Sequence, residues 1–127
     1  MAHSKLFTIN APKPVGPYSQ ATLANGFIFT AGQIALNPKT NSLVVDSFEN
    51  ETRQVLENLR HVLAAGNAGF DDVVSTSIYC TDLSYFSVIN QIYETFMGEN
   101  KPARTTIQAA ALPLGARVEI SMIAAVR

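Results

Sequence analysis

Pro102-Ala103-Arg104-Thr105-Thr106-Ile107, followed shortly by Val118-Glu119-Ile120, decides how this chain reads. An arginine opens one β-like segment and a glutamate sits inside the next, with Leu112-Pro113-Leu114-Gly115 as a turn between them. Antiparallel strands joined by a short turn set their side chains next to one another, so these residues predict one pocket holding Arg104 and Glu119. A guanidinium fork matches a carboxylate, and a neighbouring carboxylate can orient or deprotonate water. The pair points to hydrolysis of a small organic acid. Two plainer alternatives stand beside this: Arg104 as a rim residue in a structural ion pair, and Glu119 paired with Arg117 or Arg104 and nothing more.

Outward from that stretch, alternation assigns faces. Val118, Ile120, Met122, Ala124 and Val126 share one face of the last strand, and Arg117, Glu119, Ser121, Ile123 and Ala125 share the other. In the preceding strand Thr105, Ile107 and Ala109 are expected to point to the core, with Arg104, Thr106 and Gln108 opposite. The second face mixes small, polar and charged residues, which suits a subunit interface enclosing a polar pocket. Upstream, Val73 to Cys80 is β-branched and alternating, hence a strand. Phe86, Ile89, Ile92, Tyr93 and Phe96 recur at helical spacing, with Asp82 or Ser84 as cap and Gly98 as stop. Phe48, Thr52, Val55, Leu56, Leu59, Val62 and Leu63 predict an earlier helix, capped by Asp46 or Ser47 and ended by Gly66 or Gly69.

Before it, Leu6 to Ile9, Ser19 to Leu23 and Phe27 to Ala31 read as strands, the last two joined by the hairpin-favouring Asn25-Gly26. Leu43-Val44-Val45 is a candidate edge segment. Pro12, Pro14, Gly16 and Pro17 stiffen the loop that carries Tyr18. This order predicts an α+β sandwich with both helices on one sheet face.

At 127 residues and 13.7 kDa the chain predicts one domain, 1–127, able to bury a core without disulfides or metal. A hydrophobic share of 47% with mean hydropathy +0.13 is high for a small domain, and predicts that part of the apolar surface meets other subunits. Net charge of −1 and a pI near 6.1 argue against a nucleic-acid-binding surface. The sequence opens without a secretory apolar region and contains no bilayer-length apolar run, so a cytoplasmic location without membrane partners is expected. A single cysteine, Cys80, excludes an internal disulfide and reads as a packing residue. His3 and His61 have no second histidine, cysteine or serine at useful spacing. No phosphate-loop, dinucleotide or metal-ligand pattern is present, so no cofactor and no metal are expected. Asn50-Glu51-Thr52 fits a glycosylation sequon and reads as helix surface.

Gly16-Pro17-Tyr18-Ser19-Gln20, Thr30-Ala31-Gly32-Gln33 with Asn37-Pro38 after it, Asn90 with Tyr93, and Pro102-Ala103-Arg104 recur in order over nearly the whole chain. In this the sequence resembles the RidA (YjgF) family, the reactive-intermediate imine/enamine deaminases. The resemblance implies a chorismate-mutase-like sandwich, a mixed β-sheet with two helices on one face. It also implies a homotrimer with the other sheet face at the subunit interfaces and three clefts between subunits. The implied reaction is hydrolysis of 2-imino acids to 2-keto acids and ammonia, the work of a 2-iminobutanoate/2-iminopropanoate deaminase. Those imines are tautomers of 2-aminoacrylate and 2-aminocrotonate, enamines released by PLP-dependent dehydratases.

Carried onto this chain, Arg104 holds the substrate carboxylate and Glu119 orients the attacking water. Backbone groups of Gly32 and Thr106 bind the imine end beside Ala31, and Tyr18 and Asn90 shape the pocket. The cleft is expected to take Arg104 and Glu119 from one chain and Tyr18 or Asn90 from its neighbour. Ala31 stands where many deaminating members have serine, and Thr106 where some have cysteine, which bears on substrate range. A keto-acid-binding regulatory trimer without turnover is the rival reading. Ribonuclease or translation-inhibitor activity, ascribed to some members, is a more distant one.

Overall fold

Asn25 and Gly26 both adopt positive φ, 50° and 80°, as a two-residue hairpin requires. They join β2 (Ala21–Ala24) to β3 (Phe27–Thr30), with Leu23 opposite Ile28. The structure, a computed structural model, describes residues 2–126. β1 (Ser4–Leu6) pairs antiparallel with β2, earlier in the chain than the expected strand at Leu6 to Ile9. Phe7 and Ile9 are 57% and 79% exposed, so the apolar run there is not a buried strand.

Ser47 caps α1 (Phe48–Ala64), its hydroxyl accepting from the Asn50 amide at 3.0 Å. The chain leaves α1 through Asn67, at φ 60°, rather than through a glycine in that conformation. Val55, Leu56, Leu59, Val62 and Leu63 form its fully buried stripe. β4 (Val73–Cys80) follows, then a 3₁₀ turn capped by Asp82, then α2 (Phe86–Met97), which ends at Gly98 with φ 62°. β5 (Ala103–Gln108) and β6 (Val118–Ala125) complete the elements. The six strands form one sheet in the order β1-β2-β3-β6-β4-β5, and β4–β5 is its parallel pair. Ile28, Ile78, Val118, Ile120 and Met122 meet the apolar stripes of α1 and α2 in one core, so both helices cover one face of a mixed sheet. Each such side chain contributes roughly 1.5–3 kcal/mol by leaving water.

Two expectations are corrected by the strand order. β5 and β6 are not neighbours, because β4 lies between them. Tyr79 opposes Ile107 on one side and Glu119 on the other, while Thr76 opposes Arg104 and Met122. Opposed residues share a face, and Thr76 and Met122 are 1% and 2% exposed beneath the helices. Arg104 and Thr106 therefore face the helices, and Thr105 and Ile107 lie on the open face, the reverse of the alternation expected. Glu119 is on the open face. The two charged residues thus sit on opposite sides of the sheet, two strands apart and offset along it, roughly 10 Å in each direction. The cause is topological. A parallel β4-α2-β5 unit needs the helical crossover and puts β5 at the edge. The chain after β5 then passes the end of β4, where Ala109 donates to the Cys80 carbonyl and Thr81 to that of Arg117. This brings β6 to the far side of β4.

Arg117 also departs from its expected place beside Glu119. Its Nε donates to Glu51 Oε1 at 2.7 Å and its amide to Glu51 Oε2 at 2.8 Å. Glu51 and Thr52 are fully buried, so the sequon segment is not plain helix surface. A buried carboxylate is tolerated here because both oxygens are bonded, one by a cation.

Candidate active site

Glu119 stands at the end of the open sheet face, in a cavity of about 320 Å³. Lys13, Pro14, Val15 and Tyr18 line it from the proline-rich loop, together with Ala31, Gly32 and Pro113. The proline-rich loop is stapled by Gln20, which is 2% exposed. Its Oε1 accepts from the Thr8 amide, and its Nε2 donates to the carbonyls of Thr8, Ala11 and Pro12. Tyr18 reaches back over the loop, where its hydroxyl accepts from the Val15 amide at 3.2 Å. The phenolic proton remains available to a ligand.

Gly32 is where it is because of Glu119. A Cβ added there would lie 2.5 Å from Glu119 Oε2 and 2.8 Å from its carboxyl carbon. Only a bare α-carbon lets the carboxylate lie against this backbone. Burial pushes the Glu119 carboxyl above its usual value of 4.5, because desolvation penalises its charged form. Such a carboxylate is a better base than an exposed one.

Arg104 lies in a second cavity, of about 370 Å³, between β5 and α2. Its Nη2 donates to Asn90 Oδ1 at 2.7 Å. The guanidinium carbon stands 5.4 Å from the Phe86 ring centre and 5.1 Å from that of Tyr93. The Tyr93 hydroxyl donates to Thr76 Oγ1 at 2.9 Å. Burial raises the Tyr93 phenol above its ordinary range, against the lowering effects of that bond and of Arg104, so it stays a neutral donor. Thr106 lies on the same face of β5, and its hydroxyl is buried with no hydrogen-bond partner among the described residues.

A profile of the family described as Endoribonuclease L-PSP matches residues 8–126. A RutC family protein of Pyrococcus horikoshii is 44% identical over 119 residues, 94% of each chain. The mouse protein named 2-iminobutanoate/2-iminopropanoate deaminase is 41% identical over 117 residues, 92% of this chain and 87% of its own. Among solved structures, the Rid family protein YyfA of Yersinia pestis has a TM-score of 0.95 at 44% identity, covering 98% of this chain and 100% of its own. E. coli TdcF, solved with bound serine, has a TM-score of 0.93 at 31% identity, covering 98% and 99%.

The chain belongs to the RidA family.

As a RidA family chain it divides its candidate residues into two groups. Tyr18, Ala31, Gly32 and Glu119 line one cavity, and Arg104 and Asn90 the other, with Thr106 on the Arg104 face of β5. Within one chain the structure does not bring Arg104 to Glu119, contrary to the expectation that they share a pocket. Neither Arg117 nor Arg104 pairs with Glu119, so its structural-pairing alternative is not met either. Sequence reasoning missed Gln20 as the loop's staple, Glu51 as the partner of Arg117, and Phe86, Tyr93 and Thr76 as the surroundings of Arg104. A signal for the last group was present: Phe86, Asn90 and Tyr93 fall at i, i+4 and i+7, one helical face. No cluster of three or more His, Cys, Asp or Glu suited to a metal ion occurs among the described residues. No helix among them is long and apolar enough to cross a membrane.

Proposed function

We propose that the protein hydrolyses 2-imino acids, tautomers of 2-aminoacrylate and 2-aminocrotonate, to 2-keto acids and ammonia. The cleft is formed in a homotrimer, where the Arg104 cavity of one protomer meets the Glu119 cavity of the next. The supporting observation is the division itself: a guanidinium and a desolvated carboxylate, each lining its own cavity, on opposite sheet faces. Neither half alone can hold a carboxylate and activate water. This replaces the expected partition, in which both charged residues came from one chain.

Arg104 donates to the substrate carboxylate with the part of its fork that Asn90 leaves free. Glu119 takes a proton from water as the oxygen bonds to the imine carbon and the C=N π electrons pass to nitrogen. Glu119 passes that proton to the nitrogen, giving the carbinolamine. It then takes the carbinolamine hydroxyl proton and delivers it to the same nitrogen, so that the C–N bond breaks, ammonia leaves and the keto acid forms. Imines of this kind decay in water unaided, so positioning and charge stabilisation suffice for acceleration. Gly32 and Thr106 backbone groups hold the imine end beside Ala31, and Tyr18 offers its phenolic proton. Similarity to proteins named as 2-iminobutanoate/2-iminopropanoate deaminases supports this chemistry. The test is release of ammonia and 2-ketobutyrate from 2-aminocrotonate generated in situ by a threonine dehydratase. Release faster than spontaneous decay is expected. Binding of 2-ketobutyrate without acceleration would instead favour a regulatory sensor.

A further inference from the structure

Arg104 is held by one face of α2. Phe86, Asn90 and Tyr93 each meet its guanidinium, Asn90 through a 2.7 Å hydrogen bond and the two rings at 5.4 and 5.1 Å from the guanidinium carbon. Tyr93 is fixed in turn. Its hydroxyl donates to Thr76 Oγ1 at 2.9 Å, and Thr76 is the β4 residue directly opposite Arg104. The contacts close into a ring: Arg104 to Tyr93 on the helix, Tyr93 to Thr76 on the sheet, Thr76 across the ladder to Arg104. Tyr93 and Thr76 are 8% and 1% exposed, so this ring belongs to the rigid core rather than to a mobile rim. A planar guanidinium set against ring faces has few orientations left, and Asn90 fixes which nitrogens stay free.

We infer that Tyr93, with Phe86, is a positioning residue that presets the Arg104 fork to receive a carboxylate. The inference rests on the reading of Arg104 as carboxylate anchor. It adds that preference for 2-imino and 2-keto acids over uncharged carbonyl compounds of the same shape is set by an aromatic clamp acting through Arg104. The clamp works on bound substrate and transition state alike, so its loss raises KM and leaves kcat nearly unchanged.

The experiment measures binding of 2-ketobutyrate and of the uncharged 2-ketobutyramide by calorimetry. It uses the parent, Tyr93→Leu and Tyr93→Phe, each with and without Arg104→Lys. Tyr93→Leu weakens 2-ketobutyrate binding about tenfold and raises KM in step. Tyr93→Phe keeps the ring and stays within about threefold of the parent. Amide binding is unchanged throughout, and in the Arg104→Lys background Tyr93→Leu costs little more. Equal losses for acid and amide would overturn the clamp, as would the same fold-loss in both backgrounds. If Arg104→Lys alone leaves 2-ketobutyrate binding unchanged, the anchor reading fails instead. Phe86 is 43% exposed, so if Tyr93→Leu does not fold, Phe86→Leu carries the same cycle and the same results support or overturn the clamp.

Discussion

Glu119 and Gly32 are best understood together. The carboxylate lies against a backbone that only glycine leaves open, and burial raises its proton affinity above 4.5. As a general base Glu119 works only when ionised, so kcat/KM is expected to fall on the acid side as its carboxyl takes up a proton. Glu119→Gln should abolish that fall and lower kcat on the order of a hundredfold, read from ammonia release against pH. The stability consequence has a definite sign. A carboxyl whose folded value is raised binds protons more tightly folded than unfolded, so its contribution falls as pH rises from 4.5 through the raised value. Above that window Glu119→Gln should melt higher than the parent, and below it the two should coincide. Gly32→Ala separates geometry from chemistry. The added methyl would stand 2.5 Å from Oε2 and must push the carboxylate aside. The expected result is a fold of near-parental melting temperature whose kcat drops at least about tenfold. A fully active Gly32→Ala enzyme would mean that the Glu119 position seen here is not the working one.

At the scale of elements, the loop of residues 8–18 depends on one side chain. Gln20 bonds one amide and three carbonyls of that loop from a site 2% exposed to solvent. Gln20→Leu fills similar volume and strands those backbone groups. A loss of about 2–3 kcal/mol is expected in the urea midpoint, with unchanged slope. Most elements were legible beforehand because their signals are local. Asn25-Gly26 names its turn, Ser47 caps its helix, Gly98 ends the next, and the apolar spacing of α1 has one solution. Strand adjacency is not local. A short connection from β5 to β6 suggested a hairpin, yet strand, helix, strand from β4 to β5 is a crossover unit and fixes β5 at the edge. Once β5 pairs with β4, Ile107 opposes Tyr79 and must share its open face, however apolar it is. The sheet faces of Arg104 and Thr106 followed from that pairing and not from their own alternation.

At the scale of the whole molecule, the open face of the sheet stays unexplained in a single chain. Phe27, Phe29 and Ile107 are 41%, 43% and 48% exposed there, an apolar surface more typical of a subunit contact. Glu119 lies at the end of that face, and Arg104 on the helix side of the β5 edge. A cyclic assembly that buries the open face brings unlike halves of neighbouring protomers together. The candidate residues were named from the sequence as a set, and the structure places each of them at one of two cavities or on the face of β5 beside one. Their division between two cavities on opposite sheet faces was not legible there, since it depends on which sheet face each strand presents. The most direct test is subunit complementation, in which Arg104→Ala and Glu119→Gln proteins, each inactive alone, are unfolded together and refolded as a mixture. Random mixed trimers place an intact Arg104 opposite an intact Glu119 in about a quarter of clefts, so about a quarter of parental deaminase activity should return. If both residues act from the same chain, every cleft in every mixture is defective, and activity that stays at background would contradict the intersubunit site.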